Sequence, residues 1–214
     1  MKEKIINLKY DQLHILEQEL ETLPPMHRIA FAAACCERLF PNYGIFLREI
    51  KEQGWNEKDP IREALKEIWE FLVGKNVDAA RFRQLLSNCE RYPYDYENEE
   101  TAESQRAAWA ICSTLELCLE PTLSKIISVA KHIEETLFEY LDCEMSEFEN
   151  ANWDKKSHKQ VLEVIANHPF TIREMAKQSE DLQHLQETPT LTTEFLQRLR
   201  TSSENGGKSL LNLS

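Results

Sequence analysis

Hydrophobic residues recur at helical spacing along most of this chain, with polar residues on the opposite side of each predicted helix. The segment from Pro121 to Cys143 shows the pattern well, because an α-helix turns by about 100° per residue and gathers its apolar residues on one arc. These residues are Leu123, Ile126, Ile127, Ala130, Ile133, Leu137 and Leu141. His132, Glu135 and Glu139 fall on the other side, where we expect a solvated charged face. The pattern predicts an amphipathic helix.

Proline residues divide the chain into such helices. Proline costs least in the first turn of a helix, so each of six prolines or proline pairs is expected to begin one. They are Pro24-Pro25, Pro41, Pro60, Pro121, Pro169 and Pro189. The predicted helices lie near 10–22, 25–40, 43–53, 59–73, 78–91, 101–119, 121–144, 154–167, 170–187 and 190–203. Asp78 and Thr101 are suited to N-caps, and Gly54 and Gly74 to the position after a helix end.

The chain is predicted to form a single all-α domain, residues 1–214, arranged as a compact bundle of roughly eight to ten helices. Its five glycines lie outside any alternating β pattern, and no Gly/Ser-rich or Pro-rich linker divides it. The segment 202–214 is rich in Gly, Ser and Asn. We expect either a loosely held tail there or one that docks back through Leu210, Leu211 and Leu213.

The segment Phe31–Tyr43, with the sequence FAAACCERLFPNY, is apolar on all sides except at Glu37 and Arg38. A helix without a polar face belongs in the middle of a bundle, so we expect Ile29–Phe40 to form the central helix. Adjacent helix positions point about 100° apart, so Glu37 and Arg38 each need a partner elsewhere. Two interpretations follow. The charges form a polar network that fixes helix packing, or they line a pocket at the helix end with Tyr43 as a wall.

The segment Tyr92–Glu103, with the sequence YPYDYENEETAE, alternates three tyrosines with proline and acidic residues. Tyrosine beside carboxylates suits a binding surface, and Tyr94 and Tyr96 would be its contact residues. The alternative is a long solvated loop between two helices.

The net charge of −12 argues against direct binding of DNA or RNA, because a Lys/Arg surface is needed to replace phosphate counterions. An acidic surface fits a basic protein partner, or serves solubility alone. The N-terminal sequence MKEKIINLKYDQ lacks the apolar core of a signal peptide, and the longest apolar run, Ile29–Cys36, is too short to span a bilayer. Six cysteines without metal spacing fit a reducing cytoplasm. We therefore expect a cytoplasmic protein without membrane association.

Two D-x-x-H pairs, Asp11/His14 and Asp181/His184, resemble half of a di-iron carboxylate site. On the later helix we expect the core face to consist of Ile172, Met175, Leu182 and Leu185. Asp181 and His184 then point roughly opposite, away from the core. The sequence thus predicts neither a metal site nor a cofactor, and it shows no Gly-rich phosphate loop or nucleophile elbow.

The run HRIAFAAACCERLFPNYGIF, His27–Phe46, resembles the signature of the YjaG-like bacterial family, also called the domain of unknown function 416. Its core is Cys36, Glu37, Arg38, Pro41, Asn42 and Tyr43. IWEFL around Trp69 and the ending SLLNL are further, weaker matches. The resemblance implies an all-helical cytosolic bacterial protein without assigned activity or established catalytic residues. It also implies a functional link, inferred from gene context, to histone-like nucleoid proteins.

These observations favour a non-enzymatic binding or adaptor protein, acting on a basic partner such as a nucleoid-type protein. The candidate binding residues are Glu37, Arg38, Tyr43, Tyr94 and Tyr96. One alternative is an enzyme or small-molecule binder that uses a pocket at Glu37 and Arg38. Another is an acidic immunity protein that masks a basic toxin. A homodimer is compatible with the sequence, which does not identify the apolar stripe it would need.

Overall fold

The computed structural model describes residues 8–52, 54, 59–91, 102–149 and 153–212. Within these ranges the chain forms nine α-helices and no strand, which confirms the predicted all-α fold. None of the helices in the described ranges is both long enough and apolar enough to cross a membrane. The helices are α1 (Leu8–Thr22), α2 (Pro25–Glu52), α3 (Pro60–Leu72), α4 (Ala79–Arg91), α5 (Ala102–Leu119), α6 (Leu123–Glu149), α7 (His158–Ala166), α8 (Pro169–Glu187) and α9 (Thr193–Ser203).

The helix ends follow the expected capping chemistry. Asp59 precedes α3 and accepts the N–H groups of Ile61 and Arg62, at 3.1 and 3.0 Å. The carboxylate of Asp78 accepts the N–H of Arg81 at 2.7 Å, so its predicted role as an N-cap is confirmed. Gly74 follows α3 with a φ of +92°, in the left-handed region that favours glycine. Short side chains and glycine thus set these boundaries.

Helix α2 is the centre of the bundle, as predicted. Every residue from Ile29 to Phe40 is buried. The helix packs against α3, α5, α6, α8 and α9, so it has neighbours on all sides. Three alanines, Ala30, Ala33 and Ala34, are fully buried, and their small side chains leave room for close packing of neighbouring helices. The charges at Glu37 and Arg38 therefore lie deep in the fold.

The prediction that Pro41 begins a new helix is wrong, because α2 continues through it to Glu52. Proline within a helix removes one backbone N–H and costs about 3 kcal/mol. Burial on both sides of Pro41 offsets that cost, since Phe40, Tyr43 and Phe46 all lie in the core. Tertiary packing overrides the local preference at this position.

The C-terminal segment that the structure describes packs against this part of α2. Leu210 and Leu211 are buried, and the Leu210 N–H donates to the Arg38 carbonyl at 3.0 Å. Arg173 on α8 binds the Leu210 carbonyl and, at 2.8 Å, the side-chain oxygen of Asn212. Of the two alternatives for the tail, docking is confirmed for Leu210 and Leu211. Leu213 lies outside the described residues.

Candidate functional site

The neighbouring charges Glu37 and Arg38 lie in different environments and bind different partners. Arg38 points toward α8, and Glu37 points toward α9. The expectation that each finds its own partner is confirmed. The geometry separates a closed network around Arg38 from an open cleft beside Glu37.

The Arg38 network is closed to solvent. The guanidinium donates through Nε to both oxygens of Glu174, at 3.0 and 2.9 Å, and through Nη1 to Asp181 at 2.8 Å. Ser203 on α9 accepts a longer bond from Nη1, at 3.3 Å. Burial alone would lower the pKa of Arg38, but the carboxylates of Glu174 and Asp181 raise it instead. Arg38 is therefore a fixed positive charge that joins α2 to α8 and α9.

Two further residues saturate the carboxylates of this network. Lys177 lies 2.8 Å from the second oxygen of Asp181 and 3.1 Å from the hydroxyl of Ser202. Gln178 donates to Glu174 at 3.0 Å. Because each carboxylate already has two partners, the network is suited to holding helices together.

The predicted core face of α8 is confirmed for Leu182 and Leu185, which are buried, and wrong for Asp181 and Ile172. Asp181 is fully buried, whereas Ile172, which we expected in the core, is 55% exposed. The face of α8 that turns inward is largely polar, because it supplies the carboxylates that Arg38 requires. His184 is exposed and lies apart from this network. The side chains of Asp11 and His14, the other D-x-x-H pair, lie outside the described residues.

Glu37 forms an ion pair with Arg200 of α9, with 2.8 Å between Oε1 and Nε. The guanidinium of Arg200 also lies over the Trp69 ring, 5.7 Å from its centre, and 3.7 Å from the carboxylate of Glu204. Burial raises the pKa of Glu37, and the positive charge of Arg200 opposes that rise. Glu37 is thus a partly desolvated carboxylate held in place by one arginine.

A cleft of about 470 Å³ opens beside this pair, between α2, α3, α9 and the turn after α9. We call it the Glu37 cleft. Its lining residues are Glu37, Phe40, Pro41, Gly44, Leu47, Arg48, Lys51, Arg62, Arg200, Glu204 and Gly207. Four of them are cationic and two are carboxylates. The cleft thus carries a positive excess in a protein of net charge −12.

Tyr43 is fully buried and does not line the Glu37 cleft. Its hydroxyl donates to the carboxylate of Asp59, at 3.2 Å, and its ring packs against Phe40 and Phe46. Asp59 in turn caps α3. The tyrosine therefore ties the second half of α2 to the start of α3, and it supports the cleft wall from within.

Two residues in the lining weaken the helix that carries them. Pro41 interrupts the hydrogen bonding of α2, and Gly44, one turn later, lacks the side chain that favours a helix. A Cβ atom added at Gly44 would meet nothing within 4 Å, and its φ lies outside the left-handed region. Neither packing nor backbone conformation requires glycine at this position.

A family model described as "Protein of unknown function (DUF416)" matches residues 15–214. The chain belongs to this family. It is similar in structure to a DUF416 family protein from Shewanella baltica OS155, with a TM-score of 0.76 and 22% sequence identity. That match covers 92% of this chain and 97% of the other, and at this identity it shows a shared fold. No curated protein matches the chain.

In this DUF416 chain, the sequence pointed to Glu37 and Arg38 but not to their partners. Glu174, Asp181 and Arg200 lie more than a hundred residues further along and carry no local signal. Gly44 carries no signal in the sequence either, because Pro41 places it in the first turn of a separate predicted helix, 43–53. The two tyrosines of the predicted second surface, Tyr94 and Tyr96, lie outside the described residues.

The three polar residues predicted to form a solvated face on α6 lie at its edge with α5, where Glu135 stays exposed as predicted and His132 is half-buried. Arg106 of α5 binds the carboxylates of both Glu135 and Glu139. His132 packs against the Trp109 ring, with 6.0 Å between ring centres. Burial, together with the charge of Arg106, lowers the pKa of His132 to about 4. This face is part of a helix–helix contact.

Proposed function

We propose that this protein is a non-enzymatic binding protein of the bacterial cytoplasm and that its ligand occupies the Glu37 cleft. The volume, about 470 Å³, falls within the range of small-molecule sites, roughly 300–1,000 Å³. One side of the cleft is formed by the central helix α2, and the helices packed around α2 fix its position. A carboxylate with a perturbed pKa inside a cleft is also a common mark of a binding site.

The observation that carries this proposal is the pairing of Pro41 and Gly44 in the cleft lining. Both residues weaken α2 at the centre of the fold, together by about 3–4 kcal/mol relative to alanine. Gly44 in particular has no packing reason, and a local weakness of that kind is typical of a functional position. A large side chain at position 44 would project into the cleft, and glycine keeps that space open.

The chemistry of the lining favours binding over turnover. Glu37 and Glu204 both contact Arg200, at 2.8 and 3.7 Å, which restrains the two carboxylates. The remaining polar side chains are arginines and a lysine. Such groups supply ion pairs and hydrogen bonds to a ligand.

A bulky residue at position 44 tests the proposal. Because a Cβ atom there meets open space, Gly44→Phe should fill the cleft without disturbing the core, and Gly44→Ala is the matched control. Each protein would be dialysed against a bacterial metabolite extract, and the retained small molecules would be quantified by mass spectrometry. We expect at least one compound to be enriched by the wild type and Gly44→Ala but not by Gly44→Phe. Equal profiles for all three proteins would refute the cleft as a binding site.

A second candidate is an adaptor that binds a basic protein, and the net charge of −12 supports it. Because four cationic side chains line the cleft, the surface outside it is more acidic than the net charge alone indicates. A pull-down by the tagged protein at low and high salt tests this candidate. A basic partner that is released by salt, and lost in Tyr94→Ser/Tyr96→Ser, would place the adaptor surface on the acidic segment Tyr92–Glu103. Recovery of the same proteins by an unrelated acidic bait would contradict it.

A further inference from the structure

We propose that the ligand of the Glu37 cleft is a small molecule with at least two negative charges, carried by phosphate or carboxylate groups. Arg48, Lys51 and Arg62 would bind those charges. This inference depends on the proposed function, because it names the chemical class of ligand for the same cleft. The inference holds only if the net positive charge of the lining contributes to ligand binding.

The sign of the charge in the cleft is opposite to that of the whole protein. Four cationic side chains and two carboxylates line a concave surface, while the chain carries a net charge of −12. A cleft walled by protein concentrates the field of the charges inside it. An anion that approaches this protein is therefore attracted at the cleft and repelled over much of the remaining surface.

Arg200 and Arg62 differ in how firmly other groups hold them. Arg200 is engaged by Glu37 and Glu204, so the two carboxylates of the lining are largely neutralised by one arginine. Arg62 has a weak competitor, since its pair with Asp59 is 3.6 Å long and its side chain is 64% exposed. A ligand anion can replace or share such a contact at little cost.

The positions of the other cations suit a ligand with two charged ends. Arg48 and Lys51 are exposed and lie about one turn apart on α2. Arg62 projects from α3, and its guanidinium lies 4.5 Å from the centre of the Phe40 ring, which holds it at the cleft. Arginine binds phosphate and carboxylate through paired N–H groups, whereas lysine acts as a point charge. One anionic group between Arg48 and Lys51 and a second at Arg62 would use all three.

The same features argue against the other ligand classes. A cationic ligand would compete with Arg200 for Glu37 and would be repelled by three further positive side chains. A nucleic acid carries one negative charge every few ångströms, and the acidic surface around the cleft would repel the rest of the strand. A small anion meets the positive lining and avoids that repulsion.

Calorimetric titration tests the inference with defined probes. Pyrophosphate and citrate represent the two anionic chemistries, inorganic phosphate represents a single group, and spermidine represents a cation. The wild type would be compared with Arg48→Gln/Lys51→Gln and with Lys155→Gln/Lys159→Gln, which removes two exposed cations outside the cleft. We expect pyrophosphate or citrate to bind one site, at least 10-fold more weakly in the Arg48/Lys51 variant and within 2-fold of wild type in the control. Added NaCl should weaken that binding.

The outcomes separate this inference from the proposed function. Binding of spermidine but not of any anion would overturn the inference and keep the cleft as a binding site. If no probe binds, the compound retained in the dialysis with Gly44→Phe decides. An anionic compound supports the inference, and a neutral or cationic one overturns it. If the dialysis retains no small molecule either, both the proposed function and the inference are refuted.

Discussion

Arg38 and Asp181 are 143 residues apart in the chain, yet their side chains form a 2.8 Å ion pair in which neither is more than 5% exposed. Glu174 completes the pair on the other side of the guanidinium. Three buried charges at one point would be costly alone, but together with Lys177 they neutralise one another. The network fixes how α8 sits on α2.

Removal of the Arg38 guanidinium should destabilise the protein strongly. Arg38→Met would leave Glu174 buried without its cation and Asp181 with Lys177 alone, so we expect a loss of about 3–5 kcal/mol in the free energy of unfolding. Urea denaturation measures this. Arg38→Met/Glu174→Gln/Asp181→Asn removes the stranded charges as well and should recover part of the loss. Equal stability of Arg38→Met and the wild type would show that the network does not hold the fold.

Gly44→Ala should stabilise the protein. Alanine at an interior helix position is favoured by about 0.5–1 kcal/mol over glycine, and the added methyl group meets open space. For a domain of this size we expect the melting temperature to rise by about 1–4 °C. Gly74→Ala is the contrasting variant, because Gly74 has a φ of +92° and should lose stability on the same change. A drop in melting temperature for Gly44→Ala would mean that the helix is strained there.

Acid should weaken the contact between α5 and α6. Since burial lowers the pKa of His132 to about 4, the unfolded chain binds a proton between about pH 6.5 and 4 that the folded chain does not. The stability linked to His132 is complete above pH 6.5 and falls as the pH drops toward 4. The free energy of unfolding, measured with urea, should fall between pH 7 and pH 4.5 in both proteins. We expect the fall to be about 1–2 kcal/mol smaller in His132→Phe than in the wild type. His184→Gln, on an exposed residue, should match the wild type at both pH values.

The carboxyl group of Glu37 has the opposite pH dependence to His132. Burial raises the pKa of Glu37, so the folded chain keeps that proton at pH values where the unfolded chain has lost it. The contribution of Glu37 is therefore most favourable at low pH and declines as the pH rises through its raised pKa. Arg200→Met removes the opposing charge and should cost about 1–2 kcal/mol at pH 7, but less at pH 4.5. A loss independent of pH would mean that Arg200 acts through packing on Trp69 instead.

The local pattern predicts most of the helices. It fails to predict burial and helix ends where a residue distant in the sequence determines them. Alanine, cysteine and phenylalanine on every side of α2 placed it at the centre, because only a buried helix tolerates that composition. On α8 the pattern predicts the buried leucines but misses the polar half of the inward face, since Glu174 and Asp181 become core residues only in the presence of Arg38. Likewise, Pro41 resembles a helix start until the packing around it is known. The cleft combines three helices, so no single stretch of sequence contains it.

The bond between the Leu210 N–H and the Arg38 carbonyl has a consequence for how the protein is made. Helix α2 leaves the ribosome early, while the residues that cover it, from Glu174 to Leu211, follow roughly 10–30 s later at ordinary rates of synthesis. During that interval the stretch Ile29–Phe40, apolar apart from Glu37 and Arg38, is exposed to solvent and to chaperones without the partners of its guanidinium. Limited proteolysis should therefore cut α2 in ribosome-bound chains stalled at residue 150 and spare it in the released protein. We therefore expect the nascent chain to complete its fold only after these last helices and the tail have emerged.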